Sequence, residues 1–148
     1  MLQVLPLEFY QSANGAAPPP RDPLLFEAVQ KFCEKEFGER RQFQFDFKTW
    51  VVVSHDDSGY VVHGITSLRN MLDLYIFHIA PAGEDKEARD QARNVTFLLH
   101  GRASAFIQDQ FGKGSRVQVF VAPAVERFWK GFLRMIKAKP SNRWELEV

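Results

Sequence analysis

The second half of this chain carries an alternation that few folds accommodate. An apolar strand pattern at Leu72–Ala80 precedes a long segment of helical period at Lys86–Phe111. A strand pattern follows at Arg116–Val121, then a basic helical segment from about Ala124 to Ala138, then a last strand pattern at Arg143–Val148. Strands alternating with helices in this way build a parallel or mixed sheet with helices packed on it. Such sheets bind ligands beyond the carboxyl ends of their strands. The order therefore points to two places for a site, after Ile79 and after Val121. It does not name the ligand.

A chain of 148 residues is expected to form one domain over 1–148. A chain of that length buries ~70% of its unfolded surface, so it needs neither metal nor disulfide to fold. Fourteen Phe form a heavy aromatic load, consistent with a thick core or an apolar partner surface. The net charge of +1 argues against a dedicated nucleic-acid binder, though not against a local basic patch. A single cysteine, Cys33, leaves no internal disulfide and fits a reducing compartment. The N-terminal stretch has no basic n-region and no long apolar run, so it does not read as a signal peptide. No run approaches the ~20 apolar residues of a membrane span. The expected location is cytoplasmic, with no membrane partner.

Upstream, Leu2–Phe9 alternates loosely and reads as a short strand. Asn14-Gly15 signals a turn, and the run Ala16-Ala17-Pro18-Pro19-Pro20 is a stiff connector. A helix follows, with Asp22 as its cap, Pro23 at its first position and Gly38 at its exit. Leu25, Val29 and Phe32, with Cys33 and Phe37 alongside, make its buried stripe. Cys33 reads as a small buried hydrophobe rather than a nucleophile.

Phe43–Ser54 is the clearest strand. Phe43, Phe45, Phe47, Thr49, Val51 and Val53 share one face by the two-residue period. Trp50 and Val52 make its second half apolar on both faces, as in a sheet interior. Asp56-Asp57-Ser58-Gly59 is a hairpin turn, Tyr60–Thr66 returns antiparallel, and Ser67–Asn70 reads as a second turn into Leu72–Ala80. In the long helix, Ala88, Ala92, Val95, Leu99, Ala103, Phe106 and Gln110 fall on one stripe, with Gly101 inside it.

The full order is strand, helix, three-strand meander, long helix, strand, helix, strand. This order, from Leu2 to Val148, resembles the GNAT superfamily of N-acetyltransferases. The resemblance implies a mixed α/β sheet in which an antiparallel meander is followed by α-β-α-β. It also implies that acetyl-CoA lies in a gap between the strand before the long helix and the strand after it. The pyrophosphate would rest on backbone N–H groups where the long helix begins, as helix N-termini favour. On that basis Ile79, Ala80, Gly83, Lys86 and Arg89 are the cofactor-binding candidates. The family's signature there is Gln/Arg-x-x-Gly-x-Gly/Ala, whereas this chain reads Ala80-Pro81-Ala82-Gly83-Glu84-Asp85-Lys86-Glu87. One glycine and three acids stand in place of the signature, so acetyl-CoA is expected to bind weakly or not at all. A second alignment sets Gly101-Arg102-Ala103 on the signature and requires a loop inside the long helix. Downstream, Gly131-Phe132 matches the family's Gly-Phe pair, with Arg127 where the family has Tyr.

His78 and Asp73 are the catalytic candidates, as general bases for an attacking amine. The plainer roles are a hydrogen-bonded sheet histidine and a carboxylate at a strand entry. His55, His63, His78 and His100 match no zinc spacing, although His63 and His78 could face each other across neighbouring strands; no metal is expected. Between Lys113 and Arg143 there are eight basic residues and one acid, Glu126. Lys130, Arg134 and Lys137 are expected to face solvent, with Phe132 and Ile136 buried. Such a face could meet acidic partners or the phosphates of CoA; the plainer role is a solvated surface.

Two functions follow. The first is an acyl-CoA-dependent N-acyltransferase acting on a small-molecule or protein amine. The second is a non-catalytic module of the same fold that binds a partner through its aromatic and basic surface. The chain ends on a single strand after its last helix, which leaves a sheet edge that favours a homodimer or strand exchange.

Overall fold

A computed structural model describes residues 1–11, 18–40, 48–70, 74–79, 85–121 and 144–147. Within them the chain is a mixed α/β structure. Its strands are β1 (Gln3–Pro6), β2 (Lys48–Asp56), β3 (Gly59–Asn70), β4 (Leu74–Ile79), β5 (Arg116–Val121) and β6 (Trp144–Glu147). The helices are α1 (Pro23–Phe37) and α2 (Lys86–Phe111). The strands lie in one sheet in sequence order, from β1 at one edge to β6 at the other.

Local chemistry fixes α1. Asp22 Oδ1 accepts the Leu25 N–H at 3.1 Å, Pro23 occupies the first turn, and Gly38 ends the helix at φ 78°. The left-handed geometry at Gly38 lets its N–H donate to the Glu34 carbonyl at 2.8 Å. Leu25, Val29, Phe32 and Cys33 are buried against Leu7, Val51, Val53 and Ile65. Tyr60 donates its hydroxyl to the other Asp22 oxygen at 2.7 Å, which ties the helix cap to β3.

The β2–β3 hairpin closes at the turn read from sequence. Asp56 Oδ1 accepts from the Ser58 N–H at 2.8 Å and from its hydroxyl at 2.6 Å, and Gly59 takes φ 115°. The ladder carries one bulge: Val52 pairs with Gly64 and Val53 with Val62, so His63 is the extra residue. Phe43, Phe45 and Phe47 lie outside the described residues. Thr49, Val51 and Val53 hold the α1 face, where Thr49 Oγ1 and Ser67 Oγ are 3.0 Å apart.

Trp50, on the alternate face, packs with Leu68, Ala103 and Ile107 of the second cluster. The Phe106 ring meets Trp50 edge-on at 5.4 Å. The two helices therefore cover opposite faces of the sheet.

One turn expected from sequence is absent. Ser67–Asn70 continues β3: all four residues pair with β4, and Ser67 and Leu68 pair with β2 as well. Ser and Asn favour turns locally, but Leu68 is 1% exposed under α2 and Ser67 bonds Thr49, so packing overrides the local preference.

α2 is continuous from Lys86 to Phe111, with Gly101 inside it. Ala92, Val95, Thr96, Leu99, Ala103 and Ile107 form its buried stripe. The unbroken helix removes the alignment that placed a cofactor loop at Gly101-Arg102-Ala103. β4 and β5 run parallel, joined by α2 as a single crossover, and β6 returns antiparallel to β5. The expected basic helix, with Lys130, Phe132, Arg134, Ile136 and Lys137, lies outside the described residues.

Candidate functional site

The register brings the carboxyl ends of β4 and β5 side by side. His78 stands opposite Thr66 on β3 and Val121 on β5, and Ile79 stands opposite Ile65. His63 is thus three positions away from the residue that His78 faces, so the two histidines are not cross-strand partners. The bulge and the extended β3 set this register, and neither is visible in the hydrophobic pattern. Asp73, Ala80 and Gly83 lie outside the described residues.

α2 begins just beyond the carboxyl end of β4. Lys86 and Arg89 occupy its first turn and are exposed. Asp85 caps the helix, its Oδ1 accepting the Ala88 N–H at 2.8 Å. One of the N–H groups that a helix offers to an anion is therefore satisfied within the chain. Glu87 adds a second carboxylate in the same turn. The two cations draw an anion to this helix start, while the cap and Glu87 oppose it. The residues fit a bound pyrophosphate only in part.

A polar cluster absent from the sequence reading lies at the same end of the sheet. Ser54 Oγ on β2 is 2.7 Å from His63 Nε2 on β3. His63 Nδ1 is 3.3 Å from the side-chain nitrogen of Gln91 on α2. Three elements supply these groups. Ser54 pairs with Val61, so His63 is its diagonal neighbour on the α2 face of the hairpin. Burial lowers the His63 pKa, and the nearby N-terminal ammonium lowers it further. The ring is therefore neutral at neutral pH, with one nitrogen carrying a proton and the other a lone pair.

The hairpin register carries the signal that could have revealed half of this cluster. The Asp56–Gly59 turn places His55 opposite Tyr60 and Ser54 opposite Val61, which puts Ser54 diagonal to His63. Gln91 approaches through tertiary packing of α2 and has no local signature.

A second histidine, His100, is largely buried in α2 with Ser104 Oγ 3.3 Å from its Nε2; burial lowers its pKa too. Among the described residues, no group of three or more His, Cys, Asp or Glu converges to hold a metal. None of their helices is long and apolar enough to cross a membrane. No family model, curated protein or solved structure matches this chain.

Proposed function

We propose that this chain is a divergent, GNAT-like N-acyltransferase that moves an acyl group from an acyl-CoA to an amine. The observation that carries the reading is the parallel pairing of β4 with β5 across α2. That connection sets two neighbouring strand ends and a helix N-terminus at one end of the sheet, where open α/β sheets bind their ligands. Acyl-CoA would supply the activated thioester. His78 or Asp73 would take the proton from the amine, and backbone N–H groups near Ile79 would polarise the carbonyl. Lys86 and Arg89 would meet the phosphates.

The carboxylates at the start of α2 weaken this binding, each by about 1 kcal/mol per charge pair at a solvent-exposed distance. The Asp85 cap is also the observation that favours the second reading, a non-catalytic interaction module of the same fold.

A thermal-shift measurement with millimolar acetyl-CoA separates the two, because a ligand that binds only the native state raises its melting temperature. Asp85→Ser keeps a capping oxygen and removes the charge. The acyltransferase reading expects a small rise in the wild type and a larger one in D85S. No rise in either protein leaves the interaction module. If binding is found, loss of acyl transfer without loss of binding in H78A or D73N would identify the base.

A further inference from the structure

Ser54, His63 and Gln91 meet at one end of the sheet in an order that nucleophilic sites share. A hydroxyl lies within hydrogen-bond reach of a base, and a third group holds the base from its other side. The distances are 2.7 Å from Ser54 Oγ to His63 Nε2 and 3.3 Å from His63 Nδ1 to the Gln91 amide. We propose that Ser54, His63 and Gln91 act as nucleophile, base and orienting group, taking the acyl group of a small activated ester and passing it to water.

The local structure suits that work. A bulge in the β2–β3 ladder makes His63 the extra residue, and bulges re-aim side chains at the rims of sheets. Ser54 and His63 are half-buried and Gln91 is exposed, so a small substrate and water can reach the pair. The imidazole stays neutral at neutral pH because burial and the N-terminal ammonium disfavour its charge. A side-chain amide can turn either its oxygen or its nitrogen to a ring. Here the Gln91 amide nitrogen faces Nδ1, which puts the ring proton on Nε2 toward Ser54 Oγ. With the amide turned so that its oxygen accepts from Nδ1–H, the Nε2 lone pair is left for the Ser54 hydroxyl, and this is the reactive arrangement.

The step balances without a cofactor. Ser54 Oγ attacks the ester carbonyl carbon while its proton passes to His63 Nε2. The carbon–oxygen bond to the leaving alcohol breaks, and the imidazolium returns the proton to the departing oxygen. Water then attacks the acyl-Ser54 ester and gives a proton to Nε2. Ser54 Oγ recovers that proton as the carboxylic acid leaves. This chemistry does not depend on acetyl-CoA, so it stands or falls apart from the acyltransferase reading.

The test is labelling of the full chain with a fluorophosphonate, in which serine displaces fluoride from phosphorus, followed by mass analysis of the Ser54 peptide. Release of p-nitrophenol from p-nitrophenyl acetate gives the parallel rate. The expected result is an adduct on Ser54 in the native protein and none after heat denaturation. His63→Gln should slow labelling by roughly 100-fold or more, the usual worth of a general base. Gln91→Ala, an exposed change that spares the fold, should slow it by about 10-fold, the low end of what a misplaced positioning group costs. The wild-type labelling rate should rise with pH as His63 loses its proton. Equal labelling of the wild type and Q91A, a rate flat with pH through the histidine range, or an adduct only on other serines would overturn the proposal. The Ser54–His63 contact would then be a structural hydrogen bond.

Discussion

Asp22 holds two elements with one carboxylate. One oxygen caps α1 through the Leu25 N–H, and the other accepts the Tyr60 hydroxyl from β3. The Tyr60 bond is the largest cause of its lowered pKa; burial works against it, and the Leu25 and Leu24 N–H groups add to the lowering. A carboxylate whose folded pKa is depressed binds fewer protons in the native state than in the unfolded one. Its contribution is thus present above the unfolded carboxylate range and is lost as pH falls through the depressed folded value. Asp22→Ala should cost about 1–2 kcal/mol, as loss of a helix cap does, and should flatten the acid limb of the stability profile. Urea titrations at neutral and acid pH check both effects. Retention of the wild-type acid limb in D22A would show that another carboxylate carries it. The cap was legible because Asp22, Pro23 and Gly38 act within a few residues of one another; Tyr60 was not, because it arrives 38 positions later. Two histidines act on a higher pH window. Burial lowers the pKa of both His63 and His100 from the usual 6.5. The unfolded chain gains protons first as pH falls, so stability is full above that value and declines from there through the lowered folded values. Denaturant midpoints should fall as pH drops below about 6.5, and the double variant His63→Gln, His100→Gln should lose most of that slope.

At the scale of elements, α2 shows how periodicity and local flaws divide the work. Ala92, Val95, Leu99 and Ala103 of its buried stripe were legible because 3.6-residue spacing places them on one face. Thr96 and Ile107 are buried beside them without having been expected, and Gln110, expected on the stripe, is exposed. Gly101 left open whether the segment was one helix or two. The structure answers that it is one, and nothing lies within 4 Å of a Cβ built at Gly101. The glycine therefore serves no close approach among the described residues, and its backbone freedom only weakens the helix. Gly101→Ala should raise stability by about 1 kcal/mol, visible as a higher denaturant midpoint at unchanged slope. A destabilised G101A would mean that the position is packed against something in solution. The end of β3 shows the opposite case. Ser67 and Asn70 look like turn residues from their neighbours alone, and only the partners Thr49 and Leu74 across the sheet reveal a strand. The start of α2 lies between these extremes. Its acids were visible in sequence, but whether one of them would take a backbone N–H was settled only by the Asp85 cap.

At the scale of the molecule, the sheet separates two clusters that share its strands. Ile65 packs on the α1 face with Val29 and Val51, while Ile107 packs on the α2 face with Trp50 and Leu68. The meander and the parallel crossover were legible because short turn-rich links force antiparallel neighbours and a long helical link permits a parallel one. The candidate site was legible as a place, the carboxyl end of β4, and the hairpin register held the Ser54–His63 diagonal. The approach of Gln91 on α2 is a tertiary contact that no periodicity encodes. Residues on opposite faces of a sheet share no side-chain partners, so their energetic coupling must pass through the backbone of β2 and β3. Ile65→Val and Ile107→Val should each cost about 0.5–1.5 kcal/mol. The double variant should cost their sum to within about 0.5 kcal/mol, in a single unfolding transition with the wild-type denaturant slope. A larger coupling would mean that the strands move as β2–β3 repacks, so that strain on one face reaches the Ser54–His63 pair near the other. Two separate transitions would mean that α1 or α2 unfolds without the sheet, and the site would then lie on the less stable half.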